Sequence, residues 1–150
     1  MTEAGSGSHP EPEVGATASA ELVVSESDLA SALGMGPPPF PPVFATARMV
    51  GLMEVAAARL LAPLLGPGEL SVGVRIDATH TAATPPGVTV TATARYLGRE
   101  DGVYAFEVIV RDRGGEVGRA THRRAIVSSD RLVAGAVRRS GARRDGRPAS

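Results

Sequence analysis

The chain has 150 residues and a mass of 15.3 kDa, enough for one domain that buries roughly 68–70% of its unfolded surface. It contains no Cys, which excludes a disulfide framework, a thiolate metal site and a cysteine nucleophile. The net charge of zero is a cancellation: residues 1 to 40 carry six acids and no Arg, residues 131 to 150 carry six Arg against Asp145, and there is no Lys anywhere.

Residues 1 to 20 are mostly Gly, Ser, Pro, Glu and Ala, with little to bury, and read as a disordered leader without the basic and apolar regions of a secretory signal. Glu21 to Ser25 is expected to form a short first strand. Five prolines in the eight residues from Pro37 predict an extended, polyproline-like crossing that carries Phe40 and Phe44, as anchors onto the core or as a pocket cover.

From about Ala45 the composition turns to Met, Leu, Val and Ala, and the GPG at 66 to 68 is a strong stop. This predicts one helix of about 18 residues, apolar almost all round and therefore enclosed on most sides. The most apolar stretch, Met49 to Leu65, is interrupted by Glu54 and Arg59, which argues against a membrane span and for a soluble, cytoplasmic protein.

Four strands follow. Leu70, Val72, Val74, Ile76, Ala78 and His80 alternate with polar residues and are expected on one inward face. After the TPPG turn at 84 to 87, Val88 to Tyr96 alternates with Thr and Arg; then come Tyr104, Phe106, Val108 and Val110, and a last strand, Val117 to Val127, whose alternation is less clean. Short turns between them predict an antiparallel meander with one apolar face. The fold class is α+β, a sheet packed on one helix, and the element order is that of the hotdog fold, whose domains by analogy pair into dimers with continuous sheets. The domain is expected to span 21–129, with an Arg-rich flexible tail over 130–150.

Three residues could carry chemistry. Glu54 lies inside the apolar helix with no partner three or four residues away; either an Arg of the sheet satisfies it, or partial burial equips it as a base or nucleophile. His80 points inward at the rim of its strand, as a satisfied core residue or beside a pocket. Thr46 stands at the helix start, where an N-cap role is the ordinary one. On one continuous helix Thr46 and Glu54 would be about 12 Å apart, too far for direct cooperation, so a shared site needs either the chain at Thr46 to fold back before the helix begins or the two residues to come from different subunits.

The run FPPVFATARMVGLMEVAAARLLAPLLGPGELSVG, then THTAATPPGVTVTATA and GRATHRRAIV, resembles the fluoroacetyl-CoA thioesterase family of hotdog enzymes over 40–127. The resemblance implies that Thr46, Glu54 and His80 form the catalytic group, that Gly73 lies beside the acyl group, that Arg124 stands near the pocket, and that Phe40 covers it as a lid. It implies an acyl-CoA substrate hydrolysed without a separate cofactor or metal. Where the family pattern suggests a second lid aromatic this chain has Pro37 to Pro39, and Val55 replaces a larger aromatic, which implies room for larger acyl groups.

Alternatives of other kinds are a hotdog dehydratase acting on acyl thioesters, a non-catalytic acyl-CoA binder and a nucleic-acid binder. The last rests on VRRSGARRDGR at 137 to 147, an Arg run with no interleaved aromatics to stack on bases. Nucleic acid is therefore not an expected partner.

Overall fold

The computed structural model describes residues 10–34 and 36–141. A strand β1 (Thr17–Val23) opens the chain, followed by two short 3₁₀ turns. Helix α1 (Thr46–Leu61) comes next, then β2 (Glu69–His80), β3 (Thr89–Glu100), β4 (Val103–Asp112), β5 (Gly115–Ser128) and a second helix, α2 (Ser129–Ser140). The strands form one antiparallel sheet in the order β1-β3-β4-β5-β2, curled against α1. This is the expected α+β, hotdog-like arrangement.

The middle strands follow their hydropathy. Val90, Ala92, Ala94 and Tyr96 of β3 and Tyr104, Phe106, Val108 and Val110 of β4 are buried against Met49, Leu52, Met53, Ala56, Ala57 and Leu61 of α1. Tyr96 packs on Tyr104 and Phe106 with ring centroids 6.2 and 5.6 Å apart, in tilted contacts that add to simple burial. Gly118 of β5 lets the helix approach: a Cβ there would come within 2.6 Å of the Met49 Sδ and 2.8 Å of the Thr79 carbonyl oxygen.

Several boundaries differ from the sequence reading. The first strand begins at Thr17 and not at Glu21, and residues 10–16, assigned to the leader, include Glu11, which accepts a hydrogen bond from the Tyr96 hydroxyl at 2.7 Å. Residues 1–9 of that leader lie outside the described residues. Of the tail expected over 130–150, residues 130–140 are helical as part of α2, which is capped by the Ser128 hydroxyl accepting from the Arg131 N–H at 3.2 Å, and 142–150 lies outside the described residues. The proline run does not cross as an extended segment; residues 36–39 form turns.

The helix is covered on one side only. Val55 is 45% exposed and Glu54 half-buried, because the curled sheet of one chain reaches around one face of α1 and leaves the other open. Among the described residues no helix is long and apolar enough to cross a membrane.

The alternation of β2 is broken. Its register with β5 slips between Gly73 and Arg75, where Val74 is the extra residue of a bulge and is 53% exposed. Beyond the bulge Ile76, Ala78 and His80 face the helix as expected; before it the inward positions are Ser71 and Gly73, so Leu70 and Val72 turn to the other face. The expectation that Leu70, Val72 and Val74 point inward with His80 is corrected by this one residue.

Candidate active site

The start of α1 is anchored by groups that are themselves buried. Asp28 accepts from the Ser25 N–H and hydroxyl, both at 2.9 Å, and from Arg48 Nε and Nη2 at 3.1 and 2.9 Å. The Ser25 backbone contact, more than Arg48, holds the Asp28 carboxyl below its ordinary range. The Asp28 carbonyl accepts from the Ala45 N–H at 2.9 Å, and the Phe44 N–H donates to the Thr84 carbonyl at 2.8 Å. Thr84, fully buried, donates its own hydroxyl to Asp112 at 2.7 Å. The loop from His80 and the entry to α1 are thereby fixed to each other.

Between them lies a cavity of about 460 Å³, lined among others by Leu33, Phe40, Phe44, Thr46, His80 and Ala83. Thr46 Oγ1 is 2.8 Å from His80 Nδ1. The residue in the N-cap position is Ala45, so the Thr46 hydroxyl is not spent on capping and faces the imidazole instead. The His80 ring meets Phe44 edge-on at 6.3 Å, and its Nε2 is buried without a hydrogen bond among the described residues. Burial lowers the His80 pKa, with the Ala82 backbone acting in the opposite direction.

Glu54 is elsewhere. Arg124 Nη1 donates to its Oε1 at 3.0 Å, and Arg124 also reaches His122 Nε2 at 3.2 Å, the Ser71 hydroxyl through Nε at 3.0 Å and the Ser71 carbonyl through Nη2 at 2.9 Å. The partner that a carboxylate on an apolar helix requires is therefore an Arg of the sheet, the first of the two readings offered for Glu54. A Cβ on Gly73 would collide with Glu54 Oε1 and lie 3.1 Å from His122 Cε1, so the glycine makes the space in which the carboxylate sits. A smaller cavity of about 290 Å³ opens here, lined by Glu54, Gly73, Val74, Arg75, Ile76 and His122.

The six residues singled out from the sequence thus fall into two clusters. Phe40, Thr46 and His80 line one cavity; Glu54 and Gly73 line the other, with Arg124 bonded to Glu54 beside it, and the two cavities have no lining residue in common. His122 is the member that the sequence reading missed. Its strand alternates Gly118, Ala120, His122 and Arg124 inward, a pattern that hydropathy hides; its place two residues from Arg124 was the available signal. Among the described residues no three His, Asp or Glu side chains lie close enough to hold a metal ion.

A single helix held in a curled antiparallel sheet, with acid–base side chains at the helix start and on its open face, defines the hotdog class of α+β domains. A solved fluoroacetyl-CoA thioesterase superposes with a TM-score of 0.81 at 40% identity, over 86% of this chain and 98% of that one. A hot-dog-like protein from Thermanaerovibrio acidaminovorans does so with 0.76 at 25% identity, over 95% and 100%. The curated fluoroacetyl-CoA thioesterase of Streptantibioticus cattleyicolor is 50% identical over 95 residues, 63% of this chain and 68% of that protein. The sequence model of the fluoroacetyl-CoA-specific thioesterase family matches residues 24–130, and the chain belongs to that family.

Proposed function

We propose that the protein is an acyl-CoA thioesterase that hydrolyses fluoroacetyl-CoA or a related short-chain acyl-CoA to the free acid and CoA, with the coenzyme entering only as part of the substrate. The observation that carries this reading is the Thr46–His80 hydrogen bond at the wall of a cavity large enough for an acyl thioester, in a chain of this family.

In the proposed reaction water adds its oxygen to the acyl carbon, the C–S bond breaks, and the thiolate leaves with a proton. His80, tethered through Nδ1 to Thr46 at the cavity wall, takes a proton and returns one to the leaving sulfur, a role worth typically 10²- to 10⁴-fold. Thr46 fixes the ring. Thr46 and Ala47 line the cavity as the first residues of α1, where helix N–H groups lack intrahelical partners and suit a developing oxyanion; each such donor is worth about 3–4 kcal/mol. Glu54 is the carboxylate that attacks the carbonyl or activates the water.

One chain separates Glu54 from the Thr46–His80 pair, and the same proposal therefore includes a homodimer whose sites combine Thr46, His80 and Phe40 of one subunit with Glu54, Gly73 and Arg124 of the other. The supports are local. β2 is an edge strand, and the apolar Val55 and Val74 lie exposed next to Glu54 and Gly73. The cytoplasmic placement expected from the sequence belongs to the same proposal.

Release of free thiol from acetyl-, fluoroacetyl- and longer acyl-CoA, against gain or loss of a double bond, tests hydrolysis versus dehydration. Glu54→Gln should nearly abolish turnover with the fold intact; full activity would overturn the assignment. Mixing the impaired Thr46→Ala with Glu54→Gln should restore about a quarter of the wild-type sites if each site spans two subunits and add none to the residual activity if it does not.

A further inference from the structure

His122 is a buried titratable side chain that the proposed chemistry leaves unused. It is 2% exposed on β5, with its ring against Phe106. Nδ1 lies 2.8 Å from the carbonyl oxygen of Arg75 on the neighbouring strand, and since a carbonyl can only accept, Nδ1 carries a proton. Nε2 lies 3.2 Å from Arg124 Nη1, and since a guanidinium can only donate, Nε2 accepts. The two partners define one neutral tautomer. Burial and the Arg124 charge both disfavour a second proton, against the Arg75 carbonyl and Glu54, which favour it.

The two hydrogens of Nη1 are then both assigned, one to His122 and one to Glu54 Oε1. With Nε and Nη2 on Ser71, the planar guanidinium is held on three sides. Among the described residues Arg124 is the only hydrogen-bond donor to Glu54, whose side chain is otherwise 43% exposed.

We propose that His122 is a positioning residue for the hydrolytic site: its unprotonated Nε2 sets the rotation of the Arg124 guanidinium, and Arg124 in turn sets where Glu54 Oε1 stands. The inference rests on the reading of Glu54 as the carboxylate acting on the thioester. Without the acceptor, one Nη1 hydrogen is left unpaired in a buried site, the guanidinium turns to satisfy it, and Glu54 follows.

Three variants separate positioning from space-filling. His122→Phe keeps the volume and loses both polar contacts; His122→Asn keeps a donor towards the Arg75 carbonyl and loses the far acceptor; His122→Gln reaches the Nε2 position with an amide oxygen. With fluoroacetyl-CoA as substrate, kcat should fall about 10- to 100-fold in the Phe and Asn variants with KM nearly unchanged, and Gln should recover most of it. Nitrogen NMR of the full chain at neutral pH should show His122 protonated on Nδ1 and bare on Nε2.

A Phe variant with wild-type kcat, a Gln variant no better than Phe, or a ring protonated on Nε2 would each overturn the proposal. If the Phe variant does not fold, the Asn and Gln pair and the NMR assignment decide it. An active Glu54→Gln enzyme would sink the reading of Glu54 itself. An inactive Glu54→Gln enzyme with a flat His122 series would remove only the positioning role.

Discussion

The Glu54 carboxylate occupies the space that a side chain on Gly73 would fill. The two residues come from the middle of α1 and from β2 just before its bulge, and the absence of a Cβ at one is what admits the acid at the other. Gly73→Ala should therefore displace Glu54 without unfolding the protein, because the flexible end of a half-exposed side chain can yield. A fall of about 10- to 100-fold in kcat for thiol release, with a melting temperature close to wild type, is the expected result. Unchanged kcat would show that Glu54 does not need this position.

Thr46 gives a cleaner separation of chemistry from stability. Its hydroxyl faces the His80 ring and does not cap the helix, so removing it costs orientation and little else. Thr46→Ala should lower kcat about 10- to 100-fold and leave stability within about 0.5 kcal/mol. Thr46→Ser, which keeps the hydroxyl, should retain most of the activity. Steady-state kinetics with urea denaturation of the same samples checks both halves.

The acid limb of the pH profile should lie low. Burial pushes His80 below the ordinary imidazole value of about 6.5, so the ring stays neutral and able to accept a proton at a pH where an exposed imidazole is half charged. A kcat/KM profile whose acid limb sits at or above that value would contradict this assignment. The same shift acts on stability with a definite sign. Below the unfolded pKa the unfolded state binds more protons at His80 than the folded state does, so stability present above about pH 6.5 is lost as pH falls, and His122 adds in the same direction. Urea midpoints of the wild type should decline over this range more steeply than those of His80→Phe.

A fourth test concerns Glu11 and Tyr96. Tyr96 is fully buried on β3, and burial, with Glu11 beside it, raises its pKa far above the usual phenol value. Glu11→Ala leaves the buried hydroxyl without this acceptor and should destabilise the fold by about 1–3 kcal/mol, whereas Tyr96→Phe with Glu11→Ala should cost less than the Glu11 change alone. Thermal melts of the three variants give the cycle. Additive effects would mean that the 2.7 Å contact contributes nothing.

What the sequence revealed followed the range of its signals. Val90 to Tyr96 and Tyr104 to Val110 announce their buried face because their inward residues are apolar and their outward ones polar. β5 does the reverse in part, facing His122 and Arg124 inward for the sake of Glu54, and its pattern blurs where its site residues are. The start of β1 was missed because Thr17 to Ala20 holds only Thr, Ser and Ala, and is placed by pairing with β3 while burying only the small side chain of Ala20 in the core. Thr46, Glu54 and His80 stood out as anomalies against their elements. That Glu54 would meet Arg124 was open among other outcomes, since an ion pair 70 residues apart along the chain leaves no local trace.

The bulge at Val74 carries a consequence for how this family can vary. Gly73 is at an odd position and His80 at an even one, yet both face α1, so the interval between them is a constraint on count and not on composition. Val74 is exposed and its side chain can be exchanged for many others at small cost. Smoothing the bulge while keeping the odd interval would turn either the glycine that receives Glu54 or the histidine that meets Thr46 out to the far side of the sheet, whereas deleting Val74 would leave an even interval that strict alternation places on one face. What the site requires of this strand is matched parity, a bulge with the odd interval or a regular ladder with an even one.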